Sequence, residues 1–184
     1  MRKSFLLGLV AMFALAFGAS TASAFPISAS PGGAITATGA RFTVEGPLGV
    51  NVICNVTMTG TLATSAARSG ASIGTISGVS LSGCNYTTTV LIGSGWGIRV
   101  NSHDTPLTSV LNTINNVAFE VQGLPLAGTC LFTGSINFLI GVSGGLSQGI
   151  RTLASTLTSG CPLITGRVVA DQAFTLSPQQ RLTI

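Results

Sequence analysis

The residues able to do chemistry are few in this chain and stand far apart. Gly145-Leu146-Ser147-Gln148-Gly149 has the Gly-x-Ser-x-Gly spacing that presents a nucleophilic serine in hydrolases. That device needs a strand before the serine and a helix after it, so that a strained turn lifts the hydroxyl beside an oxyanion hole. Gly141-Val142-Ser143-Gly144 before it and Ile150-Arg151-Thr152-Leu153 after it suit a hairpin loop better. His103, the only histidine, precedes Ser147, whereas in hydrolases of that fold the histidine follows the nucleophile. His103 also sits in Asn101-Ser102-His103-Asp104-Thr105-Pro106, a turn-like stretch, and one histidine is too few for most metal sites. The acids Glu45, Asp104, Glu120 and Asp171 are dispersed, which gives paired-carboxylate chemistry no obvious seat. We therefore assign no catalytic, metal or cofactor residues and expect a protein that is not an enzyme. Trp96, between Gly95 and Gly97, is either an apolar contact platform or an ordinary core residue on an alternating strand.

Four cysteines remain, Cys54, Cys84, Cys130 and Cys161, without Cys-x-x-Cys spacing, and they read as two disulfides rather than a zinc site. Three pairings are open. An internal similarity favours one: Cys54-Asn55-Val56-Thr57 is followed by Ser82-Gly83-Cys84, as Cys130-Leu131-Phe132-Thr133 is followed by Ser159-Gly160-Cys161. Two copies of one structural device, two related halves, would pair Cys54 with Cys84 and Cys130 with Cys161. Each loop would contribute roughly 3.6 kcal/mol of chain entropy before strain is subtracted.

Disulfides imply an oxidising compartment, and the N-terminus agrees. Met1-Arg2-Lys3, an apolar run from Phe5 to Phe17, and Ala22-Ser23-Ala24 have the order of a secretory signal peptide, removed after Ala24. The apolar run is shorter than the roughly 20 residues of a spanning helix. Residues 25–184 then form a single secreted or cell-surface domain with no transmembrane segment. It carries six arginines, four acids and no lysine, a net charge of +2. The arginines are scattered singly, which argues against nucleic acid as a partner. So uncharged a surface gives up the usual defence of exposed sheet edges, a hint of self-assembly through strands.

Period-two alternation supplies the architecture. Leu48, Val50, Val52, Cys54, Val56 and Met58 share one parity; Trp96, Ile98 and Val100 repeat the pattern, as do Val117, Phe119 and Val121. Gly, Ser, Asn and Pro clusters between them supply turns. The chain is predicted to be all-β, an antiparallel sandwich or barrel.

The chain resembles the secreted alkane-oxidation activator proteins of the PraA/PraB-like family. The resemblance lies in the signal peptide, Val52-Ile53-Cys54-Asn55-Val56-Thr57, the Ser77 to Cys84 stretch, Gly95-Trp96-Gly97-Ile98, Asn116-Val117-Ala118-Phe119, and Cys130 and Cys161. It implies an extracellular, non-enzymatic protein that helps a cell use hydrophobic substrates, and it carries over no catalytic residue. Two functions follow: a surface structural or adhesive subunit, favoured by low charge and by terminal strands outside both disulfide loops, or an accessory factor that meets alkane-like substrates or surfaces. Mass spectrometry of the exported protein is expected to find a chain beginning at Phe25 with no alkylatable thiol before reduction; a retained leader or a free thiol refutes this.

Overall fold

A computed structural model describes residues 27–184 except 46–49, 65–68, 105, 126, 162–164 and 170–172. The expected signal peptide lies outside the described residues. Thirteen strands follow one another: β1 (Ser28–Ser30), β2 (Gly33–Glu45), β3 (Asn51–Leu62), β4 (Ser72–Ser82), β5 (Thr87–Val90), β6 (Trp96–His103), β7 (Ser109–Leu124), β8 (Gly128–Ser143), β9 (Leu146–Thr152), β10 (Ser155–Ser159), β11 (Thr165–Val168), β12 (Ala173–Ser177) and β13 (Arg181–Thr183). All ladders between them are antiparallel.

Of the two predicted architectures, sandwich and barrel, the chain adopts the barrel. The long strands close it by changing partners along their length. One edge of β8 pairs β10 at Phe132–Gly134 and β9 from Phe138 onward. One edge of β2 pairs β12 at residues 36–39 and β11 at Val44 and Glu45, while its other edge pairs β3. At one end the ring therefore runs β2, β3, β4, β6, β7, β8, β9, β12 and back to β2, with a ladder at every step. At the other end β5, β10 and β11 replace β6, β9 and β12. Eight positions around a ring give an interior just wide enough for side chains to fill, or for one small ligand.

Alternation fixes what points inward, and bulges reset it. In β7, Val110, Asn112 and Ile114 are buried, then Val117, Phe119 and Val121. The switch from even to odd falls at a register shift between Ile114 and Val117, where Asn116 has φ 60°. β2 switches the other way, from odd to even, between Gly39 and Phe42. Each bulge adds a residue and increases local twist, which closure of a sheet requires. The β8–β9 hairpin turns on Gly144 and Gly145, both at positive φ, as a two-residue turn of this hand requires.

Both expected disulfides form, Cys54–Cys84 and Cys130–Cys161. In each, the first cysteine lies on a long strand and the second follows the end of that strand's antiparallel partner. Backbone bonds flank the bridges on opposite sides: Asn85, after Cys84, donates its N–H to the Ile53 carbonyl before Cys54, whereas Gly160, before Cys161, donates to the Leu131 carbonyl after Cys130. The terminal segments, expected to be available for exchange between copies, pair within the chain: β1 with β13, and β2 inside the ring.

Gly39 faces Phe174 across the β2–β12 ladder, and a Cβ at Gly39 would lie 2.3 Å from the Phe174 ring. The ring occupies the space that glycine leaves. Gly39→Ala is expected to cost about 1–3 kcal/mol by overpacking, read as a lower urea midpoint, with part of the loss recovered in Gly39→Ala/Phe174→Leu; an unchanged midpoint in the single variant refutes the packing account.

Candidate functional site

The inward side chains do not fill the barrel. A cavity of about 90 Å³ runs inside it, partly open to solvent and bordered by 27 residues. Among them Thr88 and Thr152 carry hydroxyls and Trp96 an indole N–H, and the rest have no hydrogen-bonding N or O in the side chain. Thr88 Oγ1 donates to the Tyr86 carbonyl at 3.1 Å, and Thr152 Oγ1 to the Val169 carbonyl at 3.2 Å. Both hydroxyls are thus bonded to backbone, and among the described residues no acid or base borders the space. The arrangement can bind apolar matter. Interiors pack to crystal-like density with few voids larger than water, and a void of this size costs on the order of 2 kcal/mol in lost contacts.

The two ends of the cavity differ. Towards the disulfides lies an aromatic floor: Phe42 meets Phe119 edge-on at 6.5 Å, and Phe119 stacks on Phe132 at 5.3 Å. Towards the termini lies a polar plug around Gln180, which is fully buried. Its Nε2 donates to the Pro178 carbonyl, its Oε1 accepts from Gly32 N–H at 2.9 Å, and its backbone N–H donates to Ser147 Oγ at 2.8 Å. Gln179 Nε2 donates to the Ser147 carbonyl at 2.6 Å. A second cavity of about 20 Å³ borders this plug and Asn112, enough room for one water molecule.

The side wall is incomplete at one place. β3 pairs β4 as far as Ser82, but β6 pairs β4 only from Ser72 to Ile76. Beyond Ile76 the outer edge of β4 faces β5, which pairs β7 and, among the described residues, has no ladder to β4. Val79 and Leu81 on β4 and Thr88 and Val90 on β5 border both the cavity and this seam, and all four are half-buried. Cys54–Cys84 ties the loop between the two strands to β3, with Cys54 Sγ 3.9 Å from Thr88 Oγ1. Trp96, 5 % exposed, closes the upper limit of the seam: it begins β6 and its Nε1 donates to the Leu91 carbonyl just past β5, at 3.4 Å.

Trp96 is therefore a core residue that also borders the cavity, and Cys54 borders it with Trp96. Cys130 is buried and Cys161 half-buried elsewhere in the wall. Ser147 is in β9, 2 % exposed, its hydroxyl engaged by Gln180. His103 ends β6, its Nδ1 3.1 Å from the Asp104 carbonyl. Asp104 accepts hydrogen bonds from Ser109 and Thr108, which hold its carboxyl below the ordinary carboxylate range. That tie between β6 and β7 is fully present above the unfolded pKa and lost as pH falls through the lowered folded value. Val79 and Leu81 escape a period-two reading because β4 carries register shifts at Ser72/Gly74 and opposite Thr59/Gly60, and β5, which carries Thr88 and Val90, is only four residues long. Ile76 and Val79 consequently line one cavity from opposite parities. A short apolar-polar run interrupted by glycine, as in Ile73 to Leu81, is the trace such a bulged strand leaves.

Ser147→Ala leaves the buried Gln180 N–H without its acceptor and is expected to cost about 1–3 kcal/mol. Hydrogen exchange at Gln180 and Leu182 should accelerate ahead of the rest of the barrel; unchanged protection there refutes a structural role for the hydroxyl.

No curated protein and no solved structure matches the chain. The family model described as alkane oxidation protein activator PraA/PraB-like matches residues 1–178. With nearly its whole length matched, the chain belongs to the PraA/PraB-like family of alkane oxidation protein activators.

Proposed function

We propose that the protein is exported and acts, without catalysis of its own, as an accessory factor that promotes the use or uptake of hydrophobic substrates such as alkanes. The observation that carries this reading is the apolar cavity, partly open to solvent, in a chain of an activator family. The cavity wall supplies hydrocarbon, one thioether, one indole, a disulfide sulfur and two threonine hydroxyls bonded to backbone, a surface that suits apolar matter. Two disulfides agree with work in an oxidising compartment outside the cytoplasm. The alternative of a surface structural or adhesive subunit draws less support, because the strands that would be exchanged between copies lie in the chain's own ladders.

The test is growth. A strain lacking this chain is expected to grow more slowly on n-hexadecane than its parent and equally well on a soluble carbon source, and purified protein beginning at Phe25 should restore the rate when added to the medium. Equal growth of mutant and parent on hexadecane, or no rescue by folded protein, overturns the reading.

A further inference from the structure

We infer that the barrel interior is a binding site for an unbranched, uncharged aliphatic chain, which enters sideways through the seam between β4 and β5. This deepens the accessory-factor reading and rests on it only for its biological meaning, since the cavity stands on geometry alone.

Three observations select the ligand class. First, the wall offers no unpartnered polar atom: the unpartnered buried polar atoms among the described residues are His103 Nε2 and Asn112 Oδ1, and neither residue borders this cavity. A dry apolar cavity excludes water and accepts hydrocarbon or noble gas. Second, the lining is long for the volume. On β3 it runs from Val52 to Leu62, about 33 Å of strand, while the volume is about 90 Å³, smaller than the roughly 150 Å³ engineered cavity that admits benzene. Little volume spread along so long a lining suits a single methylene chain better than a ring or a branched skeleton. Third, no charged residue occurs from Ser69 to Ile98, the stretch that holds β4, the connecting loop and β5. The seam is rimmed by Ser77, Ser80, Ser82, Thr87 and Thr89, all exposed, and by exposed Leu91. A charged headgroup finds no counter-ion on that stretch, and β7 places Glu120 opposite Thr89. The shared chemistry of a free alkane and a lipid acyl chain is thus resolved towards the free hydrocarbon.

The seam also explains how such a chain gets in. Elsewhere around the ring a ladder of backbone hydrogen bonds must break before two strands can part. Between β4 beyond Ile76 and β5 there is none, so Val79, Leu81 and Val90 can separate by side-chain and modest backbone movement. The leading carbons occupy the existing space, and further carbons follow as the half-buried seam side chains move outward.

Trp96 is the only tryptophan and borders the cavity, so it reports occupancy directly. Purified protein beginning at Phe25 is titrated with 1-bromoalkanes, whose bromine quenches indole fluorescence on contact. With 1-bromodecane we expect saturable quenching. Across 1-bromobutane, 1-bromohexane and 1-bromooctane, affinity should rise roughly fourfold per added carbon until the space is filled. 1-Bromoadamantane, a compact cage with the same ten carbons as 1-bromodecane, should bind at least tenfold more weakly, and so should 10-bromodecanoate at pH 8. Leu81→Arg, which places a charge in the seam, should weaken 1-bromodecane at least tenfold, whereas Leu131→Arg, at an exposed leucine away from the cavity, should change it less than twofold. Should Leu81→Arg fail to fold, the wild-type comparison of decyl with adamantyl still decides.

Quenching by 1-bromodecane no more efficient than that of free N-acetyltryptophanamide overturns the site. Equal binding of the adamantyl compound overturns the linear shape. Tighter binding of the decanoate makes the protein an acyl carrier and overturns the uncharged ligand, and insensitivity to Leu81→Arg in a folded variant overturns the route. If bromodecane binds but added protein gives no growth benefit on hexadecane, the accessory reading fails while the site stands; rescue of growth without binding gives the reverse.

Discussion

Closure of the sheet is the constraint on which the rest of this structure depends. β2 and β8 are long enough to serve two partners in succession along one edge, and this joins the end of the chain's ladder to its beginning. Once the ring is closed, each strand has an inside and an outside, and the inside of an eight-position ring is small. A polar group placed there loses water and must find a partner in the wall. Backbone atoms already engaged in ladders offer few, so the interior is hydrocarbon almost throughout, and polar side chains collect at the ends. Gln180, Ser147 and Asn112 do so at the end where the termini meet: Gly32 after β1 and Pro178 and Gln180 before β13 provide the N–H and carbonyl groups for the first two, and the Val110 carbonyl in β7 accepts from Asn112.

Closure also accounts for the unusual charge economy of the surface. Ten charged residues in the stretch after Ala24 are few for a soluble domain, where about a quarter of residues are charged. Open sheets rely on such charges, lysine above all, to keep edges from pairing with neighbours. A barrel removes the edges instead. Of the strand edges that remain unpaired among the described residues, β1 is three residues long, and those of β4 and β5 face one another across the seam. The low charge that reads as an invitation to assemble is equally compatible with a chain whose backbone donors and acceptors are already engaged.

How much of this was legible before the structure depended on whether a strand kept its parity. Val52, Cys54 and Val56, then Trp96, Ile98 and Val100, and Val117, Phe119 and Val121 alternate without interruption, and all nine are buried in strands. The cysteine spacing carried the pairing, because the same device occurs twice with nearly the same loop. β4 was not legible, nor was the first half of β7 as part of one strand with the second. A bulge moves every later side chain to the other parity, so a strand with two bulges has no single period to detect. The cavity was beyond reach for a further reason: it depends on the difference between the volume of the ring and the volume of its inward side chains, and that difference appears only when register and closure are known.

The seam and the disulfides belong to one mechanical arrangement. At the end of the barrel near the termini, eight ladders run without a break and the polar plug adds hydrogen bonds across the opening. At the other end the ring lacks one ladder, between β4 and β5, and both disulfides are found there. Cys54–Cys84 anchors the loop that joins the two unpaired strands to β3, and Asn85 reinforces it, with its Oδ1 accepting from Ile53 N–H and its Nδ2 donating to the Asn51 carbonyl. β4 can then lean away from β5 without losing register with β3, because its far end is fixed by a covalent bond and not by the missing ladder. A hydrogen bond from Trp96 to the Leu91 carbonyl limits the gap at its other end. The wall is consequently weakest along a stretch of about six residues whose inward side chains are apolar, and it is held on both sides of that stretch. A continuous eight-strand ring would be more stable and would leave its interior sealed.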